Sequence, residues 1–128
     1  MTRMDYRAGK QFVVKRKRDI DRIFRQGRRV ANGAMTLFAV ANGLGRARLG
    51  VGVSSRHGKA VARNRVKRLC REAFRLSRHE LAAGYDYMMI PRAGTELTLD
   101  ALQRALKSLA PRVAGLVNGQ REAKETAT

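Results

Sequence analysis

RNRVKRLCREAFRLSR, residues 63 to 78, is the stretch whose reading decides how this chain is built. Within residues 59 to 79, Ala62, Val66, Leu69, Cys70, Ala73, Phe74 and Ser77 recur at spacings of three and four, the period of a helix that buries one stripe. On the same wheel Asn64, Arg68, Arg71, Arg75 and Arg78 fall on the opposite side, flanked by Arg65 and Lys67. The spacing predicts a helix with one face for the core and one made of cations. A solvated helix face is the bland alternative. Against it, nine cations and a single acid, Glu72, occupy residues 56 to 78, so the charges have almost no internal partners.

The whole chain repeats that imbalance. Lys and Arg number 28 against 10 acids over 128 residues, a formal net charge of +18, and 11 of the cations lie in residues 1 to 30. So large an excess destabilises a compact state by self-repulsion unless a polyanion neutralises it, which points to nucleic acid as the partner. The length suits one compact domain with a modest core. No apolar run approaches the roughly 18 residues of a membrane span. The opening MTRMDYRAGKQFVVKRKRD has no signal-peptide core either, so a cytoplasmic location is expected.

Enzyme chemistry is poorly supplied. Cys70 is the only cysteine and lies on the apolar face, which makes it a core residue rather than a nucleophile. His57 and His79 stand alone, and the acids are scattered, whereas a protein-only metal nuclease needs several carboxylates converging on its ions.

Upstream of the decisive stretch, SSRHGKAVARNR (54 to 65) is a basic, Gly-containing loop running into a helix N-terminus, where free N–H groups and the positive dipole end favour phosphate. It lacks the Gly-Lys-Ser/Thr ending of nucleotide-binding loops, which argues against an NTPase. Asn64 suits either local capping or contact with RNA. Residues 35 to 41 (MTLFAVA) and 48 to 53 (RLGVGV) read as strands, and the turn NGLGRA between them predicts a hairpin. Leu49, Val51 and Val53 share one face of the second strand. Gly50 and Gly52 leave bare backbone on the other, for a ligand or, more commonly, a tightly packed neighbour.

Earlier still, Asp19 is expected to cap a short helix carrying Ile20, Ile23 and Phe24, stopped by Gly27. Phe24 and Phe38 then face one another if that helix lies on the strand at 35 to 41. They serve either as core or as rings on which single-stranded RNA stacks. Downstream, YDYMMI (85 to 90) is a strand closed by Pro91, and Thr98 caps a last helix with Leu99, Leu102, Leu106 and Leu109 on one side, ended by Pro111. The expected organisation is a flexible basic arm (1 to 18), one α+β domain (19 to 115) with a mixed sheet packed against helices, and a frayed tail (116 to 128).

GKAVARNRVKRLCREAFR, at 58 to 75, closely resembles the signature of the bacterial ribonuclease P protein family: Arg-Asn-Arg, then basic-basic-Leu, then Arg-Glu-Ala-Phe. DIDRIFRQGRR at 19 to 29, MTLFAV, RLGVGVS and YDYMMIPR follow in the family's order, so the likeness covers roughly residues 15 to 110. The resemblance implies a small α/β sandwich, ribosomal protein S5 domain 2-like, with a left-handed β-α-β crossover, contrary to the usual right-handed preference. It also implies a role as protein subunit of a ribonucleoprotein endonuclease in which a catalytic RNA removes the 5′ leader of precursor tRNA. No catalytic residue is expected in this chain, and Mg²⁺ is expected to be held mainly by the RNA.

By the same likeness Arg63, Asn64, Arg65, Lys67, Arg68, Arg71 and Arg75 face the RNA subunit. Ile20, Phe24, Phe38, Ser55, Arg56 and Lys59 line the leader cleft. One protein monomer per RNA is implied, with no membrane partner. Two positions depart from the family pattern: Ile20 stands where an aromatic is frequent and Ser55 where a cation is frequent, leaving one ring and one charge fewer at the cleft. A structural RNA-binding protein with no part in cleavage, ribosomal or otherwise, is the alternative, and a helix-in-groove DNA binder a third.

Overall fold

The computed structural model describes residues 9 to 126, with side chains described through residue 120. A single 3-10 turn at Lys10–Phe12 leads into α1 (Lys17–Gln26), followed by β1 (Arg28–Ala31), β2 (Met35–Ala41), β3 (Arg48–Val51), α2 (Ala60–Ser77), β4 (Tyr85–Pro91) and α3 (Leu99–Thr126). The four strands form one mixed sheet in the order β1-β2-β4-β3, in which only β3 and β4 are parallel. The unit β3-α2-β4 therefore joins two neighbouring parallel strands through a helix.

The hairpin expected between residues 35 to 41 and 48 to 53 does not form, and the second strand stops at Val51. β4 lies between β2 and β3 because six of its seven residues are buried, a strand that needs cover on both faces and both edges. The Asn-Gly turn is real. Leu44 N–H donates to Asn42 Oδ1 and Asn42 Nδ2 donates to the Arg46 carbonyl, but the turn carries the chain past β4 to its far edge. The actual hairpin is β1 with β2, closed by Asn32, whose Oδ1 accepts from the N–H groups of Ala34 and Met35. β1 (RRVA) is short and largely exposed, so its sequence shows no alternation to read.

Two layers cover the sheet. Leu37, Ala39, Leu49, Tyr87 and Met89 face α2 and α3, where they meet Cys70, Phe74, Leu102, Leu106 and Leu109 in the main core. The opposite face carries a second cluster of Val14, Ile23, Val40 and Met88, with Ile20, Phe38 and Ile90 packed against it, under α1. Gly50 and Gly52 belong to this second face, and a neighbour explains them. A Cβ at Gly50 would lie 2.5 Å from Met88 Cε, and one at Gly52 would lie 2.6 Å from Ile90 Cδ1.

Both expected chain ends are corrected. In the stretch from residue 9 that was expected to be arm, Val14 is buried and its N–H donates to the Leu49 carbonyl at 2.9 Å, so the segment is stitched to the edge of β3; residues 1 to 8 lie outside the described part. α1 then starts at Lys17 with Arg16 in the capping position. Asp19 sits inside the first turn, where its carboxylate approaches Arg48 at 3.7 Å instead of capping. Gly27 does end α1.

At the other end, Thr98 caps α3 through Ala101 N–H at 3.1 Å, but Pro111 does not stop it. The helix runs on to Thr126, into the expected tail, because Val113, Ala114 and Val117 bury against the core beyond the proline; residues 127 and 128 lie outside the described part.

Candidate nucleic-acid interface

α2 presents the two faces that its period requires. Cys70, Ala73, Phe74 and Ser77 are buried, while Asn64, Arg65, Arg68 and Arg71 are exposed. Arg63 and Lys67 are half-buried at the margin, and Arg63 Nε is a buried donor without a protein acceptor. Arg75 is committed within the helix, since its guanidinium donates through both Nε and Nη2 to the Glu72 carboxylate. The same hydrogen bonds hold the Glu72 carboxyl below its ordinary range.

Arg78 departs from the cationic face. It is buried, with its guanidinium 3.6 Å from the centre of the Phe12 ring, because the chain leaves the α-helix at Ser77 and the N-terminal segment supplies an aromatic for it to stack upon. Burial pushes the Cys70 thiol up to about 12, which leaves it inert at neutral pH.

The N-terminal end of α2 is open to an anion. Lys59 occupies the capping position without a side-chain cap, and the first turn holds no acid, so the leading N–H groups and the dipole are met only by cations. Before it, residues 55 to 57 make a 3-10 turn whose Ser54 Oγ accepts from Arg56 N–H. His57 Nε2 lies 2.9 Å from the Pro91 carbonyl and ties this turn to the end of β4.

Across the sheet, α1 carries Phe24, which stays 46% exposed although its ring meets Phe38 edge-on with centroids 5.0 Å apart. Ile20 packs beside them. From Phe38 the sheet floor runs through Ile90 to a recess of about 280 Å³ walled by Thr36, Ser54, Arg56, His57 and Arg92. The structure thus brings Ile20, Phe24, Phe38 and Arg56 onto one face of the sheet. Ser55 is exposed on the turn beside them, and Lys59 lies at the boundary with α2.

Thr36, Ile90 and Arg92 also line this cleft, and the sequence reading missed them. Thr36 pairs with Ile90 across β2 and β4. Those two residues are visible as neighbours only once β4 rather than β3 is known to lie beside β2.

Beneath the cleft, Asp86 is fully buried and accepts hydrogen bonds from Arg48 and Asn42, with Arg22 at 3.4 Å. Among the described residues no three His, Cys, Asp or Glu side chains come together as a metal site, and the one buried carboxylate is saturated by these donors.

The model of the family described as Ribonuclease P matches residues 9–114 of this chain. The chain belongs to the ribonuclease P protein family. It is 36% identical over 101 residues to the ribonuclease P protein component of Pelotomaculum thermopropionicum, covering 78% of this chain and 90% of that one. It is 40% identical over 99 residues to that of Erwinia tasmaniensis, covering 76% and 82%.

Among solved structures, the ribonuclease P protein of Thermotoga maritima superposes with a TM-score of 0.72 at 30% identity, covering 78% of this chain and 96% of that one. The Staphylococcus aureus protein gives 0.68 at 30%, covering 80% and 94%. The mixed sheet with its helices is the α+β fold of these ribonuclease P proteins. The expected hairpin was therefore an error of strand pairing and not of fold class. Among the described residues no helix is long and apolar enough to cross a membrane.

Proposed function

We propose that this ribonuclease P protein component holds the catalytic RNA through the cationic face of α2 and the single-stranded 5′ leader of precursor tRNA through the cleft between α1 and residues 54 to 57. In this reading it acts in the cytoplasm, one protein per RNA. Its cations neutralise phosphate repulsion between the RNA subunit and the substrate. Each cation withdrawn from a phosphate should lower the salt slope of binding by roughly 0.7–0.9 log unit per decade of salt. The stacking cleft positions the leader. The Mg²⁺ that activates water belongs mainly to the RNA, and this chain contributes affinity and position.

One observation carries the reading. The exposed Phe24 ring, set edge-on against the half-buried Phe38, and the basic 54 to 57 turn lie on one face of the sheet, and that turn leads directly into a helix with exposed cations, so two RNA segments can meet across residues 54 to 59. The test is reconstitution with a bacterial ribonuclease P RNA at low Mg²⁺, where the protein should restore leader removal that the RNA alone fails to perform. Protein shown to be free of RNA should leave precursor tRNA intact. Robust cleavage by that protein, or tighter binding to duplex DNA than to the RNA, would count against the proposal.

A further inference from the structure

A second recess lies at the β3 edge of the sheet, between the N-terminal segment and α2, and none of Ile20, Phe24, Phe38 or Arg56 lines it. Its walls are apolar: Phe12, Val13, Leu49, Val51 and Phe74. Its rim carries Lys15, Arg71, Arg75 and Arg78, and no acid lines it. Its volume is about 200 Å³, below the roughly 300–1,000 Å³ of sites for drug-sized ligands and ample for one flat ring.

The two halves of this recess ask for different things. A free phosphate would satisfy the rim and leave the apolar walls wet, and an aliphatic side chain would fill the walls and leave the cations unmatched. A flat ring bearing an anion satisfies both. Arg75 is paired with Glu72, but Lys15 and Arg71 are exposed and have no carboxylate partner among the described residues, so two of the rim's cations are not neutralised from within. Arg78, stacked on Phe12, adds a planar cation to the wall, a surface on which bases also stack.

We infer that this recess receives one unstacked nucleobase of the ribonuclease P RNA, with its ring among Phe12, Val13, Leu49 and Val51 and its phosphate at Lys15 and Arg71. The inference rests on the reading of α2 as the RNA-subunit face, because Arg71 and Arg75 belong both to that face and to this rim. An RNA strand tracked along the exposed cations of α2 arrives at the recess with a phosphate already in place. A single extruded base then adds what charge alone lacks, a fixed register along the helix.

The full chain with labelled methyl groups tests this by NMR. Saturation with ribonuclease P RNA should shift the methyls of Val13, Leu49 and Val51. Adenosine monophosphate at high concentration should shift the same methyls weakly, and inorganic phosphate should leave them in place. Filling the recess by Val51→Phe should weaken binding of the RNA by roughly 5- to 150-fold, the span of one base stack, with an unchanged salt slope.

Methyls unmoved at saturation with RNA, or moved equally by inorganic phosphate, would overturn the inference while leaving the α2 reading intact. A wild-type chain that binds no ribonuclease P RNA would overturn both. The wild-type titrations decide the matter even where Val51→Phe fails to fold.

Discussion

Arg48 and Asp86 sit opposite one another on the parallel strands β3 and β4, and the guanidinium holds the carboxylate at both ends, Nε to Oδ1 at 2.8 Å and Nη2 to Oδ2 at 2.6 Å. Burial alone would raise the Asp86 pKa. The hydrogen bonds from Arg48 and Asn42 and the charges of Arg48 and Arg22 outweigh it, and the carboxyl is held below its ordinary range. The ion pair is thus a clasp between the parallel strands, lying under α1.

Because the folded-state pKa is depressed, the stability Asp86 supplies is fully present above the unfolded aspartate value of about 3.9 and is lost as pH falls through the lower folded value. Asp86→Ala removes one member of a buried pair and should cost about 3–5 kcal/mol at neutral pH, since Arg48 is then left without its main partner. Urea unfolding at pH 7 and pH 3 measures both effects. The variant should be weaker at pH 7 and should lose less than wild type on acidification; equal acid sensitivity would show that Asp86 is not the responsible group.

Phe24 exposes nearly half its surface, so its truncation tests the leader cleft with little injury to the core. Phe24→Ala should weaken binding of leader-bearing precursor tRNA to the reconstituted holoenzyme by the equivalent of about 1–3 kcal/mol, the worth of one base stack. Mature tRNA, which has no leader, should bind as before. Equal losses for both substrates would place Phe24 outside the leader path. Phe38→Ala should show the same preference with an added loss of stability, because Phe38 also packs on the cluster of Val14, Ile23, Val40 and Met88.

Glu72 is the only acid on α2, and it occupies the guanidinium of Arg75. Glu72→Gln removes a negative charge from an RNA-facing surface and ends its ion pair with Arg75. Affinity for ribonuclease P RNA should rise, with a salt slope steeper by roughly one phosphate. The double change Arg65→Ala with Arg68→Ala should flatten the slope by about one to two phosphates, because both side chains are exposed. Salt titrations of all three proteins check this, and a slope unchanged in the double variant would mean those cations are merely solvated.

How much of this was legible in the sequence depended on the range of the interaction. The two-faced α2 was legible except at Arg78, because a helical face is set by residues three and four apart, whereas the burial of Arg78 depends on Phe12 from a distant segment. Phe24 against Phe38 was legible once helix one was laid on the strand at 35 to 41. The pairing of β2 with β4 was not, since Thr36 and Ile90 are 54 positions apart and nothing local distinguishes a strand beside its sequence neighbour from one beside β4. The Asn-Gly turn pointed to a hairpin, and the burial demand of β4 overrode it. Val14 was hidden among the charges of VVKRKR, where a single buried residue leaves no period to detect.

Pro111 marks the other place where tertiary packing overrode a local rule. It lies inside α3, where it has no N–H to offer the Lys107 carbonyl and its ring crowds the preceding turn. The helix continues because Val113, Ala114 and Val117 bury beyond it and the Tyr85 hydroxyl donates to Asn118 Oδ1 at 2.5 Å. Pro111 itself is exposed, so replacing it by Ala forfeits little buried surface and restores a hydrogen bond.

An interior proline is about 3 kcal/mol less favourable than Ala, while losing its restraint on the unfolded chain returns about 0.4–1 kcal/mol. Pro111→Ala should therefore stabilise the fold by about 2 kcal/mol, read as an increased urea midpoint at constant m-value. A decrease would instead mean that a bend at Pro111 is what seats Val113 and Val117 on the core, and it would move with Val117→Ala in a double-mutant cycle.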